Sequence, residues 1–171
     1  MKKTIIIILA VFSSSVLMAQ GTVMDKYFSQ FADNDQFTKV SVSSKMFSLF
    51  TELETGSDAE EEFLKAISKL KGLKVIVADS ISNSATLYKQ ASADITKAGY
   101  DELMSVKDAM ENMKFSIKEK GGVIEELIMI VGGKQKFVLL SLYGEIDLKN
   151  ISKIAKAMRV DGLEKLEKLN D

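Results

Sequence analysis

Between Lys114 and Tyr143 three apolar runs are separated by two glycine pairs, and this pattern restricts the possible folds more than any other feature of the chain. Lys114 to Lys120 alternates Phe115 and Ile117 with charged residues, Gly121-Gly122 supplies a tight turn, and Val123 to Val131 returns as a second strand. Gly132-Gly133 turns the chain again into a third strand, Lys136 to Tyr143. Three strands joined by two glycine turns make an antiparallel meander, whose apolar side must be covered by another layer. Amphipathic helices elsewhere in the chain can cover one face, so the expected class is α+β, an antiparallel sheet with a C-terminal three-strand meander covered on one face by helices.

The remaining elements follow from hydrophobic period. Val23, Tyr27 and Phe31 recur at spacing four, which predicts a short helix over Thr22 to Phe31. Val40 and Val42 alternate with polar residues in a strand from Lys39 to Ser43. Lys45 to Leu53 places Met46, Leu49, Phe50 and Leu53 on one helical face. After Thr55-Gly56-Ser57 a second helix begins at Asp58, where Glu60, Glu61 and Glu62 suit the positive end of the dipole; Phe63, Ile67 and Leu70 form its stripe and Gly72 ends it. Leu73 to Ala78 is a short apolar strand. Asn83 or Ser84 caps a helix carrying Tyr88, Ala91, Ile95 and Ala98, which Gly99 stops. The alternation around Met104 and Val106 favours extended structure for Tyr100 to Val106.

Lys2 and Lys3 followed by an apolar stretch from Thr4 to Met18, with Leu17-Met18-Ala19 before Gln20, have the form of a secretory leader. The stretch is shorter than the ~20 apolar residues of a membrane span. Cleavage after Ala19 is therefore expected, with residues 1–19 as signal peptide and 20–171 as a single α+β domain, exported to the periplasm or secreted, without a stable membrane anchor. Losing Lys2 and Lys3 leaves a net charge of about −3. A mildly acidic chain without a basic cluster is a poor match for nucleic acid. The chain has no His and no Cys. The usual zinc, copper and haem ligand sets, thiol redox chemistry and the Ser-His and Cys-His pairs are therefore closed to it, and no cofactor, metal or catalytic residue is assigned.

The joint from Leu139 to Met158, an apolar strand followed by Gly144-Glu145-Ile146-Asp147-Leu148 and an amphipathic helix, resembles a family of small exported bacterial proteins, the domain of unknown function numbered 4252. Tyr100-Asp101-Glu102-Leu103-Met104 and the Glu126-Leu127-Ile128 strand share the resemblance, which spans most of the mature chain. It implies an envelope location in Gram-negative bacteria and brings no reaction, cofactor or catalytic residue. Some members resemble lipoproteins, whereas this chain lacks the cysteine that route requires.

Physically the joint is a hinge: Gly144 permits a sharp turn, and Asp147 can cap a helix starting at Leu148, with Ile151, Ile154, Ala155 and Met158 facing the sheet. This reading is preferred to a catalytic Glu145 or Asp147. Four other features have the look of sites. Ser68 and Lys71 match Ser-x-x-Lys, but the companion Lys-Thr-Gly is missing and the stretch ends a helix. Met110 and Met113 offer soft sulfur but no histidine, so core filling is expected. Asp33-Asn34-Asp35 lacks the glycine and distant glutamate of a calcium loop and is assigned to a turn. Gly132-Gly133-Lys134 is not followed by Ser or Thr and belongs to a hairpin. The functional expectation is a non-catalytic binding or interaction domain whose partner is an envelope protein or ligand, with Lys39 to Ser43 as a strand edge for a partner strand. The competing expectation is a carboxylate-based hydrolase of envelope glycans.

Overall fold

In the computed structural model, which describes residues 22–51 and 58–147, the chain opens with helix α1 (Val23–Gln30), strand β1 (Thr38–Ser43), and helices α2 (Ser44–Thr51) and α3 (Asp58–Ser68). Strand β2 (Leu70–Ala78) and helix α4 (Ser84–Lys97) follow. Strands β3 (Asp101–Lys107), β4 (Glu111–Lys120), β5 (Val123–Gly133) and β6 (Phe137–Ile146) complete the described chain. The strands form one sheet in the order β1-β2-β6-β5-β4-β3, each neighbouring pair antiparallel. Strands β4 to β6 form the expected meander, which β3 extends at one end. Gly121 and Gly122 close the β4–β5 hairpin with φ of +60° and +82°, backbone that favours glycine.

Strand β6 lies between β2 and β5, so the chain must pass from β2 to the far edge before it enters β3. Helix α4 makes that crossing over β5 and β6. It buries Leu87, Ala91 and Ile95 beneath it, against Ile76, Ile128, Ile130, Phe137 and Leu139, and α1 adds Met24 and Tyr27 to the same layer. The opposite face carries Leu73, Phe115, Leu127, Met129, Leu140 and Leu142, with Phe47 of α2 and Ile67 of α3 packed on it. Both sheet faces therefore bury apolar side chains, and helices lie on each. The α+β class, the meander and the helical cover are as expected, with a second face also covered.

Several details differ from the sequence reading, each for a packing reason. Gly72 does not end α3: it sits inside β2 opposite Tyr143, whose ring occupies the space a Cβ would need. Leu70 accordingly opens β2 rather than closing the stripe of α3. Gly132 and Gly133 end β5, the turn falling on 134–136, and Gly132 is where Tyr88 of α4 touches the strand. Gly144 lies within β6 at φ +142°, pressed against the backbone of Lys69 and Leu70, and is not the exit turn. Among the described side chains of α2 Phe47 is buried, whereas Met46 and Leu49 are about half exposed. Asn83 stands at the N-cap of α4 without a side-chain cap bond; Ser84 instead donates to the Gly133 carbonyl. The leader and its cleavage site, Leu53, the 55–57 turn and the helix beginning at Leu148 lie outside the described residues.

Candidate functional site

The end of α4 builds a concavity walled by charged side chains. Gly99 takes φ +78° just past the helix, its N–H bonds the Thr96 carbonyl and the Tyr100 N–H bonds the Ile95 carbonyl. This pair of bonds is a Schellman motif, and it turns the chain sharply from helix into β3. The turn delivers Tyr100 beside β5, where its hydroxyl donates to Glu126 Oε2 at 2.5 Å. Ser141 of β6 donates to Oε1 of the same carboxylate, also at 2.5 Å. Glu126 is only 6% exposed, and it is the buried acid among the described residues. A buried carboxylate without donors is costly, and two hydroxyls meet that demand. Burial first, and the bond to Glu126 second, push the Tyr100 hydroxyl pKa well above its ordinary value.

In front of Tyr100 opens a cavity of about 300 Å³, walled by Thr22, Val23 and Lys26 of the α1 end, Asp94, Lys97 and Ala98 of the α4 end, and Lys118 of β4. Thr22 and Asp25 close a capping box, each side chain accepting from the other's backbone N–H, which fixes the start of α1. Lys26 pairs with Asp94 at 2.6 Å, and the Tyr27 hydroxyl donates to the same Asp94 oxygen at 2.9 Å. The Lys26 bond, ahead of the Tyr27 bond, holds the Asp94 carboxyl below its ordinary range despite some desolvation. Burial, then Asp94, raises the Tyr27 hydroxyl. Lys118 Nζ lies 5.2 Å from the centre of the Tyr100 ring, a cation–π placement. Lys97 and Lys118 form no ion pair among the described residues.

The cavity therefore presents three ammonium groups and one carboxylate, and that carboxylate is already held by a lysine and a tyrosine. Such a lining attracts an anion. It does not present the two facing carboxyls that paired acid–base hydrolysis uses. Two larger, more open depressions, of about 630 and 460 Å³, do hold acid pairs: Asp79 with Glu111 in one, and Glu125 with Glu145 in the other. Glu145 is ion-paired with Lys69 across the β2–β6 crossing.

The residues singled out from sequence fall elsewhere. Ser68 ends α3 with its hydroxyl on the Lys65 carbonyl, and Lys71 points from β2 as an exposed residue. Asp33-Asn34-Asp35 is a turn, Asn34 Oδ1 accepting from the Gln36 N–H. Met113 fills the core as expected, but Met110 is 64% exposed because it sits in the β3–β4 turn. Strand β1 does lie at a sheet edge, with Val40 44% exposed. No group of three metal-ligating side chains occurs among the described residues, and no helix there is long and apolar enough to cross a membrane. The cavity itself was not legible, because its residues come from three separated segments. One signal existed: Leu127 to Val131 is an unbroken apolar run, which buries both faces of β5 and so traps Glu126 as well.

A family model described as a domain of unknown function (DUF4252) matches residues 27–154. No curated protein and no solved structure matches the chain.

Proposed function

Since the chain belongs to the family described as a domain of unknown function (DUF4252), we propose its role from its own geometry: it is an exported domain of the cell envelope that binds and does not turn over its ligand. The observation that carries this reading is the cavity before Tyr100, where three lysines meet a single carboxylate that Lys26 and Tyr27 already occupy. A binding site needs convergent, fixed polar groups; a general acid–base site needs a group free to exchange its proton. Export rests on the leader pattern of residues 1–19.

The full chain, expressed with its own leader in a Gram-negative host, tests each part. The processed protein is expected in the periplasm or medium with Gln20 at its N-terminus. Crosslinking in the intact envelope is expected to capture a reproducible partner or ligand, and incubation with envelope glycans to release no new reducing ends. Reducing ends that disappear in E125Q or E145Q would overturn the reading in favour of a glycan hydrolase.

A second surface, the β1 edge, supports recognition of a partner strand: among the described residues no strand pairs with its outer side, and Val40 is exposed beside it. S41P, which removes a backbone donor from β1, is expected to abolish capture if a partner strand docks there. Undiminished capture by a folded S41P variant would exclude the edge.

A further inference from the structure

We infer that the cavity before Tyr100 is a phosphate site, taking the dianionic head of a phosphate monoester. This rests on the binding reading above and names the ligand class. Lys26, Lys97 and Lys118 come from α1, α4 and β4, so their convergence is a product of the tertiary fold and not of one charged run. Asp94 offsets one of them, and Glu126, the cross-strand neighbour of Lys118, lies behind Tyr100, held by two hydroxyl donors and outside the lining. The cations remain in excess.

The type of cation selects the anion. All three are ammonium groups, compact point charges whose donors rotate, and none is a guanidinium fork matched to a planar carboxylate. Point charges from three directions suit a tetrahedral oxyanion. The size agrees: about 300 Å³ lies at the small end of ligand pockets, room for a phosphate and a small polar body. The site is also held in place before any ligand arrives. Lys26 is fixed by Asp94, Lys118 lies over Tyr100, and Tyr100 is fixed by Glu126 and by the turn at Gly99. Preorganisation of this kind reduces the ordering cost of binding.

Such a head group occurs on soluble sugar phosphates and on membrane lipids, and the test separates the two sources. Calorimetry at low ionic strength with glucose 1-phosphate, and with glucose as control, measures the soluble arm. Co-sedimentation with phosphatidylcholine vesicles, with and without phosphatidic acid, measures the lipid arm. Saturable binding of the phosphorylated probe in at least one arm is expected, weakening with added salt. K97A and K118A, both exposed and therefore expected to fold, should each lower affinity by roughly tenfold or more, whereas K134A, remote from the cavity, should not. No saturable binding in either arm, or binding that survives K97A and K118A together, overturns the phosphate assignment. Capture of an envelope partner in the same preparations would leave the binding reading standing while this assignment fell.

Discussion

The two faces of the sheet solve the same burial problem differently. On one face the described buried residues are all apolar: Phe115 at 0% exposure, with Leu127, Met129, Leu140 and Leu142 around it. On the other, an equally apolar centre gives way toward one end to Ser116, Ser141 and Glu126, while Ser84 of α4 sits at the opposite end on the Gly133 carbonyl. Apolar burial is non-directional and sums over area, whereas a buried carboxylate is tolerated only where each donor stands in place. The first face is thus built for stability, and the second gives up some apolar area to fix Tyr100 at the wall of a cavity.

The largest expected effect belongs to the first face. Phe115→Ala removes a fully buried ring from an apolar layer and is expected to cost about 3–5 kcal/mol in urea unfolding. Binding to the cavity, measured where the variant is folded, should be unchanged. A cost near that of a surface substitution would mean that this face is not closely packed, and the contrast would fail.

On the second face, Tyr100→Phe keeps the ring and deletes one donor to Glu126. Leaving that carboxylate short of a partner is expected to cost about 1–3 kcal/mol. Replacing Glu126 by Gln should recover part of the loss in the double variant, because a neutral amide tolerates a missing donor better than a charge does. Strictly additive effects would show that the two groups do not act as a unit.

The same face predicts an alkaline limit. Tyr27 and Tyr100 have hydroxyl pKa values raised by burial and then by their bonds to Asp94 and Glu126. A folded value above the unfolded 10.0 means that the stabilisation is complete below pH 10.0 and lost as pH rises beyond it. Tyrosinate absorbance from these two residues should therefore grow with unfolding and not before it. Ionisation of all four tyrosines in the still-folded protein would contradict the burial argument.

Periodicity made the meander and the helix α4 legible and left the cavity obscure. Alternation in Phe115 and Ile117, the Gly121-Gly122 turn and the spacing of Ala91 and Ile95 are local signals, and the elements appear where those signals put them, although Ala98 of the same expected stripe is exposed and Leu87 is buried in its place. Gly72, Gly132 and Gly144 looked like stops and turns because glycine usually marks them. Their actual work is to let Tyr143, Tyr88 and the Lys69–Leu70 backbone approach from elsewhere in the chain, which no local pattern encodes. Met46 and Leu49 matched a helical stripe, but with α2 docked through Phe47 their side is turned toward solvent. The cavity depends on where α1 and α4 end relative to β4, a tertiary relation, so its lysines looked like ordinary solvated charge.

The smallest expected change in stability gives the sharpest separation of structure from function. Lys26 and Asp94 form a close ion pair, yet their side chains are 58% and 29% exposed, and solvent screening leaves such pairs worth less than about 1 kcal/mol. The Asp94 carboxyl is held low, so what it contributes is present above the ordinary 3.8 and lost as pH falls through the depressed value. Asp94→Asn should therefore barely move the melting temperature at neutral pH. It also removes the one negative charge in the cavity wall and frees Lys26, so affinity for glucose 1-phosphate or for phosphatidic acid vesicles should rise by several-fold. A purely structural Asp94 would give a small loss of stability and no gain in binding. Stability and affinity moving in opposite directions on one substitution is the behaviour expected of a group that tempers an anion site while it orders the walls around it.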